Sequence, residues 1–201
     1  TMEPCCFVGK TGACSKALIN AKVSRVVIAM IDPNPLVREM GVAQLKSAGI
    51  EVTVGVLEKK AFEVNAGFIK RMLTGIPWVR AKMAATIDGF SALRSGESQW
   101  ITCEKSRNDG HKWRARSCAI LTGIGTILKD NPSLSVRAVR TKRQPTKVIV
   151  DPKFKVLNHY KCFNDSKVII ATIDQKSKEY IEKKNNFINR GIKILELEPT
   201  P

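Results

Sequence analysis

The chain of 201 residues has no apolar run near the roughly 20 residues that a bilayer-spanning helix requires, so no transmembrane helix is expected. Its first residues, Thr1-Met2-Glu3-Pro4, lack the basic and apolar regions of a secretory signal, and a soluble cytoplasmic protein is the expectation. No internal repeat or low-complexity tract occurs, which removes solenoids and disordered linkers. Histidine is scarce, with 2 in the chain, at positions 111 and 159. The 6 cysteines are too sparse for the disulfide framework of a small secreted domain. Cys5, Cys6 and Cys14 crowd at the front, and in a reducing compartment this points to metal chemistry.

Charge is one-sided: 34 Lys+Arg face 18 Asp+Glu, a net +16. That balance invites a nucleic-acid partner. The lysines are scattered, however, many beside Ile and Asn, as at 183–189, a pattern that base composition alone can produce. Nucleic acid is therefore not the expected partner, and no membrane is. A basic surface equally suits a phosphorylated small molecule.

Apolar periodicity alternates between strand and helix. Strands are expected over 25–30 and 51–56. A helix over 37–48 is ended by Gly49, and another through Phe62, Phe68, Ile69 and Met72 stops at Thr74-Gly75, where Pro77 forbids continuation. The domain boundary is placed there, dividing 1–75 from 76–201. Beyond it a strand is expected over 78–85, a helix over 104–116, and a strand over 119–122 that turns at Gly123 into a short helix. Strands over 147–150, 167–171 and 192–197 follow, with a polar helix over 175–186. The alternation, with apolar runs that imply burial on both faces, specifies an α/β class with mainly parallel sheets. Both ends, at Thr1 and at Glu198-Pro199-Thr200-Pro201, read as interruptions of a longer sequence.

Cys5 and Cys14, with eight residues between them, make half of a zinc site. Thiolates hold zinc at roughly 2.3 Å, and a catalytic site needs three protein ligands and a water. The metal lowers the pKa of that water, so that it can attack an amidine-like carbon. A third ligand and a proton-shuttling Glu, as in a His-x-Glu pair, are absent from the chain. Taken alone, the pair is equally well explained by structural cysteine.

Two longer runs carry more. Glu3-Pro4-Cys5, Gly9-Lys10-Thr11 and Cys14, followed by Asp32-Pro33-Asn34-Pro35, resemble the diaminohydroxyphosphoribosylaminopyrimidine deaminase domain of riboflavin biosynthesis. Ser95-Gly96-Glu97-Ser98-Gln99-Trp100-Ile101-Thr102, then Trp113 to Gly123, then Thr126 to Pro132 with Leu134, Val136 and Arg137, resemble the reductase domain of the same bifunctional family. The resemblance implies the C-terminal part of a cytidine-deaminase-like domain followed by the front part of a dihydrofolate-reductase-like domain. By the same resemblance Cys5 and Cys14 are zinc thiolates and Lys10 lies near a pyrimidine. Phe7, Val8, Gly12-Ala13 and Glu39 depart from the family pattern. With the missing His-x-Glu, they argue against deamination by this polypeptide alone.

For the second part the resemblance implies reduction by NADPH of the ribosylamino group of 5-amino-6-(5-phosphoribosylamino)uracil. Ala84, Trp100, Thr126 and Asp130 then contact the cofactor, and Ser98, Arg114, Leu134 and Arg137 contact the substrate. Asp130 and Lys82 are the catalytic candidates, and a homo-oligomer forms through the reductase domain. Guanidinium forks suit phosphate oxygens, and a Gly123-Ile124-Gly125-Thr126 turn before a helix lets backbone N–H groups approach a cofactor phosphate. Each residue also has a plain alternative: Trp100 as core packing, Asp130 as a helix-ending residue, Arg114 as a solvated helix charge, the glycines as a tight turn. Phe90 departs from the family's basic residue, and the closing Gly-rich segment of the family is absent. The competing expectation is a non-catalytic α/β chain that binds nucleotide or RNA through its charge.

Overall fold

A computed structural model describes residues 1–164 and 167–198. The terminal Pro199-Thr200-Pro201, where an interrupted end was expected, lies outside the described residues. The chain divides into two units, Thr1–Ala81 and Lys82–Pro201. Both are α/β with parallel strands. Among the described residues no helix is long and apolar enough to cross a membrane.

The first unit runs α1 (Cys14–Asn20), β1 (Arg25–Ile28), α2 (Met40–Ser47), β2 (Glu51–Val54) and α3 (Glu58–Thr74). β1 and β2 pair in parallel, Arg25 opposite Glu51 and Ile28 opposite Val54. Met2 adds a parallel bridge to Met30. α3 ends where Gly75 takes φ +73°, a left-handed turn that suits glycine, and Gly49 at φ +80° follows α2 in the same way. Leu45 and Ile28 are buried, as is the cluster Met30, Ala61 and Ile69. The expected buried strand over 25–30 is corrected: of β1 only Ile28 is buried, and Val27 is exposed, because a two-stranded sheet covers little of its own surface. α2 also starts three residues later than its apolar spacing suggests, since 35–39 form turns capped by Asn34.

The second unit runs α4 (Glu104–Arg116), β3 (Ala119–Gly123), α5 (Ile124–Asp130), β4 (Thr146–Val150), β5 (Val168–Ile173), α6 (Lys178–Asn189) and β6 (Lys193–Leu197). Its sheet is parallel in the order β3-β4-β5-β6. β4 and β5 are central and bury Ile149 and Ile170 fully, whereas β3 and β6 alternate or lie open at the edges. Burial reaches both faces in β5, whereas β4 buries one face, through Lys147 and Ile149, and half-buries the other. The core gathers Ile127, Leu134, Phe154, Val156, Phe187 and Ile192 about them. Burying each large aliphatic side chain contributes about 1.5–3 kcal/mol. Ser177 caps α6 by accepting the Tyr180 N–H at 3.1 Å. The strand expected over 78–85 does not form: the segment is irregular, because among the described residues no neighbouring strand supplies a ladder for its backbone.

Candidate functional site

Side chains of α4 converge on the segment 133–137. His111 and Arg114, three residues apart on α4, share a face. The facing segment begins where Asn131, at φ +40°, ends α5, and Leu134, at φ +57°, turns the chain again. That second left-handed residue sends the Leu134 side chain into the core at 6% exposure, so a contact to substrate from this position falls to its backbone. Gln144 holds the segment from behind. Its carbonyl accepts the Val136 N–H at 2.8 Å and its amide donates to the Val136 carbonyl at 3.1 Å.

Three nitrogen-bearing groups meet there. The Arg114 guanidinium donates to the Ser135 carbonyl at 3.4 Å. The Arg137 backbone N–H donates to His111 Nδ1 at 3.3 Å, and its guanidinium donates to the Ser133 hydroxyl. Burial first, and then the nearby Arg137, lower the pKa of Arg114. Burial, Arg114 and Arg137 likewise lower that of His111. Among the described residues no carboxylate lies within salt-bridge distance of either guanidinium. Two like charges held together without a counter-ion are costly, and an anionic ligand relieves the cost.

Beside α5 a second grouping forms. The Lys129 ammonium donates to the Gly96 carbonyl at 2.7 Å, tying the 93–97 turn to the helix. Trp100 is 70% exposed, and the Arg107 guanidinium lies 4.3 Å from its ring centroid. Core packing is therefore not its role. Ser98 and Ala84 are half-buried, and Lys82, Thr126 and Asp130 are exposed. Among the described residues no hydrogen bond or ion pair connects Lys82, Ala84, Ser98 or Asp130 to the arginine pair. At the β3–α5 turn Gly123 has φ −80°, Gly125 is not left-handed, and a Cβ on either would meet open space. The chain's own packing therefore does not require glycine at either position. Two depressions lie at the carboxyl ends of the strands. One of about 230 Å³ is lined by Ile124, Asp151, Pro152, Lys153 and Lys155, and one of about 420 Å³ by Asp174, Lys176, Glu196, Leu197 and Glu198.

In the first unit the two front cysteines are neighbours. The Cys14 backbone N–H donates to Cys5 Sγ at 3.3 Å, and hydrogen bonding and charge from Cys5 raise the Cys14 thiol above its ordinary pKa. The loop between them is held at its base by Ser15, whose hydroxyl bonds the Cys5 carbonyl at 3.1 Å and Gln44 at 2.6 Å. Buried Glu3 accepts three backbone N–H groups, from Asp32, Glu39 and Val42. Gly41 fits because a Cβ there would stand 2.0 Å from the Pro4 carbonyl oxygen. Lys10 is exposed near the tip of the loop. Among the described residues no group of three or more His, Cys, Asp or Glu side chains could hold a metal, so the two thiols make a partial donor set that does not fit a complete zinc site.

Glu3, His111, Lys129 and Gln144 were not singled out as site residues from sequence. Glu3 stands in the Glu3-Pro4-Cys5 run and Lys129 in the run from Thr126 to Pro132, whereas nothing in the sequence marks His111 or Gln144.

The second unit is thus a parallel four-stranded α/β unit in which α4 and the 133–137 segment bring two guanidiniums near one another. More particularly, the chain belongs to the RibD C-terminal domain family, whose model matches residues 77–199. It is 39% identical over 198 residues to riboflavin biosynthesis protein RibD of Aquifex aeolicus (strain VF5), covering 98% of this chain and 55% of the relative. The Escherichia coli (strain K12) RibD is 43% identical over 168 residues, covering 78% of this chain and 46% of that protein. Among solved structures, Acinetobacter baumannii RibD, form 1, aligns at a TM-score of 0.88 and 39% identity over 99% of this chain and 55% of that one. A Thermotoga maritima protein described as a diaminohydroxyphosphoribosylaminopyrimidine deaminase/5-amino-6-(5-phosphoribosylamino)uracil reductase aligns at 0.79 and 34% identity, over 98% of this chain and 60% of that one. The chain thus spans about half the length of the curated relatives it matches.

Proposed function

We propose that this chain is part of a riboflavin-biosynthesis deaminase/reductase, and that its second unit supplies the reductase pocket for 5-amino-6-(5-phosphoribosylamino)uracil. In this reading the first unit is the C-terminal part of a cytidine-deaminase-like domain, and the second is the front part of a dihydrofolate-reductase-like one. The observation that carries it is the Arg114–Arg137 pair, held together without a carboxylate partner. Charge-assisted bonds from both guanidiniums would hold the sugar phosphate, with Ser98 adding a hydroxyl.

NADPH supplies the hydride that converts the ribosylamino group to ribitylamino. The Gly123–Thr126 turn, Ala84, Trp100 and Asp130 are the residues that would hold it. The exposed Trp100 ring offers a flat apolar face, and Gly123 and Gly125 leave room for a phosphate over the first turn of α5. Asp130 and Lys82 are assigned to the reacting end, where an acid and a base of opposite charge can manage the proton that accompanies hydride transfer. For the first unit the two thiols support zinc ancestry, and no deamination step is derived from a partial donor set. A cytoplasmic setting and a homo-oligomer through the second unit rest on the resemblance alone. RNA binding through charge is not favoured by the relatives.

Loss of NADPH absorbance that depends on the phosphoribosylamino-uracil tests the reading, in this chain and in one extended to the length of its relatives. R114A and R137A should each raise KM for that substrate by roughly ten- to a hundredfold, the worth of one charge-assisted contact. If the extended enzyme turns over and both variants match it, the arginine pair is not the phosphate site.

A further inference from the structure

On α4, His111 presents its imidazole to the 133–137 segment, and its Nδ1 accepts the backbone N–H of Arg137 at 3.3 Å. A ring nitrogen that accepts carries no proton, so the geometry assigns the neutral tautomer with its proton on Nε2. Two charged groups face the ring: Arg114 from its own helix and Arg137 from the opposed segment. No carboxylate from either element offsets them. Burial and both guanidiniums hold the ring below the ordinary pKa of histidine.

The other anchors of the segment act on different atoms. Gln144 holds Val136, and Arg114 reaches the Ser135 carbonyl. The bond to His111 holds the Arg137 N–H, on the opposite side of the peptide plane whose Val136 carbonyl Gln144 holds. We propose that His111 is a positioning residue for the anion site: by accepting the Arg137 N–H it fixes the backbone from which that guanidinium reaches phosphate, and protonation of the imidazole opens the clamp. This rests on the reading that Arg114 and Arg137 bind phosphate. A protonated ring loses its acceptor and leaves the Arg137 N–H without this partner. Anion affinity therefore falls as pH drops through the His111 pKa, below the ordinary value of about 6.5.

The full chain is titrated calorimetrically with inorganic sulfate, whose charge is constant in this range, and with ribose 5-phosphate, from about pH 8 to about pH 5. In H111N the carbonyl oxygen can replace Nδ1 as acceptor and cannot be protonated, whereas H111L removes the acceptor. Wild-type affinity for sulfate should weaken roughly two- to tenfold on acidification, the worth of one neutral hydrogen bond. H111N should keep the high-pH affinity with a flat profile, and H111L should be weak by that factor throughout. H111L binding like wild type overturns the proposal, as does wild-type affinity that rises in acid, which would make His111 a direct cationic ligand. R114A and R137A separate the two layers. Unchanged sulfate affinity in both removes the phosphate-site reading itself, whereas lost affinity in both with an indifferent H111L removes only the positioning role. Should H111L fail to fold, nitrogen-15 NMR of the wild type decides: an unprotonated Nδ1 at neutral pH, with the Arg137 amide shifting at the same pH as the ring, supports the role, and a proton on Nδ1 overturns it.

Discussion

Replacing Glu3 by Ala should dismantle the front of the first unit. The carboxylate accepts N–H groups of Asp32 at 3.2 Å, Glu39 at 2.9 Å and Val42 at 3.1 Å, and the residue is 5% exposed. Alanine leaves three donors in a space that water reaches poorly. An unsatisfied buried donor costs about 1–3 kcal/mol, so the sum is roughly 3–6 kcal/mol after local relaxation. A unit of this size has a total stability of about 4–12 kcal/mol, so the loss is a large share of it. Glu3→Gln keeps one acceptor and should cost about half as much. As a control, exposed Glu58 lies in the first turn of α3, where a carboxylate favours the helix dipole, so Glu58→Ala should cost about 0.3–1 kcal/mol. Hydrogen exchange read by mass spectrometry is the assay, because it reports α2 separately from the second unit. Fast exchange over 39–47 in Glu3→Ala, with β4 and β5 still protected, is the expected pattern. Protection over 39–47 equal to wild type would refute the assignment of Glu3 as the organiser of this loop.

Thiol chemistry gives an ordered prediction. The hydroxyl of Ser106 lowers the pKa of Cys103, bonding with Cys5 raises that of Cys14, and burial raises that of Cys162. The thiolate is the nucleophile, so as pH rises iodoacetamide should modify Cys103 first, Cys14 later and Cys162 last, as read by peptide mass spectrometry. Labelling of Cys14 ahead of Cys103 would contradict this order. Zinc added to the chain should bind substoichiometrically and pass quickly to a chromogenic chelator, because two thiols leave the donor set short. One tightly held zinc per chain would refute that. In the second unit, Ile170→Ala should cost about 2–5 kcal/mol in urea unfolding, whereas Leu195→Ala, at a site 44% exposed, should cost under about 1 kcal/mol.

What could be read from sequence was local. α4 spans the expected 104–116, since its polar run is bounded by an extended residue at each end, Cys103 and Ser117. Gly49 and Gly75 mark helix ends because left-handed backbone favours glycine wherever it occurs. Non-local matters were hidden. Residues 78–85 have strand-like composition, yet a strand exists only when another supplies its ladder. The inward turn at Leu134 was equally invisible, because φ +57° at a leucine is imposed by its surroundings and carries no sequence mark. Within the site, Arg114 and Arg137 were legible as phosphate-matching types, but their shared neighbour His111 became visible only when α4 met the chain after α5.

The excess of basic residues takes on a different meaning once the charges have places. A polyelectrolyte surface needs cations that are free, exposed and interchangeable, so that removing any one of them weakens binding by a similar small step. The pair on α4 and the 133–137 segment is of another kind. Arg114 is half-buried, Arg137 is oriented by Ser133 and His111, and neither has a carboxylate beside it among the described residues. Burying a guanidinium beside a second one opposes folding, and the arrangement is stable only because the α/β core beneath it outweighs that cost. Strain of this kind is worth holding where an anion arrives to relieve it, since the ligand then gains the repulsion that folding has already overcome. The net charge of +16 is therefore compatible with a selective small-molecule pocket, and the number of basic residues matters less than the two that are held against each other.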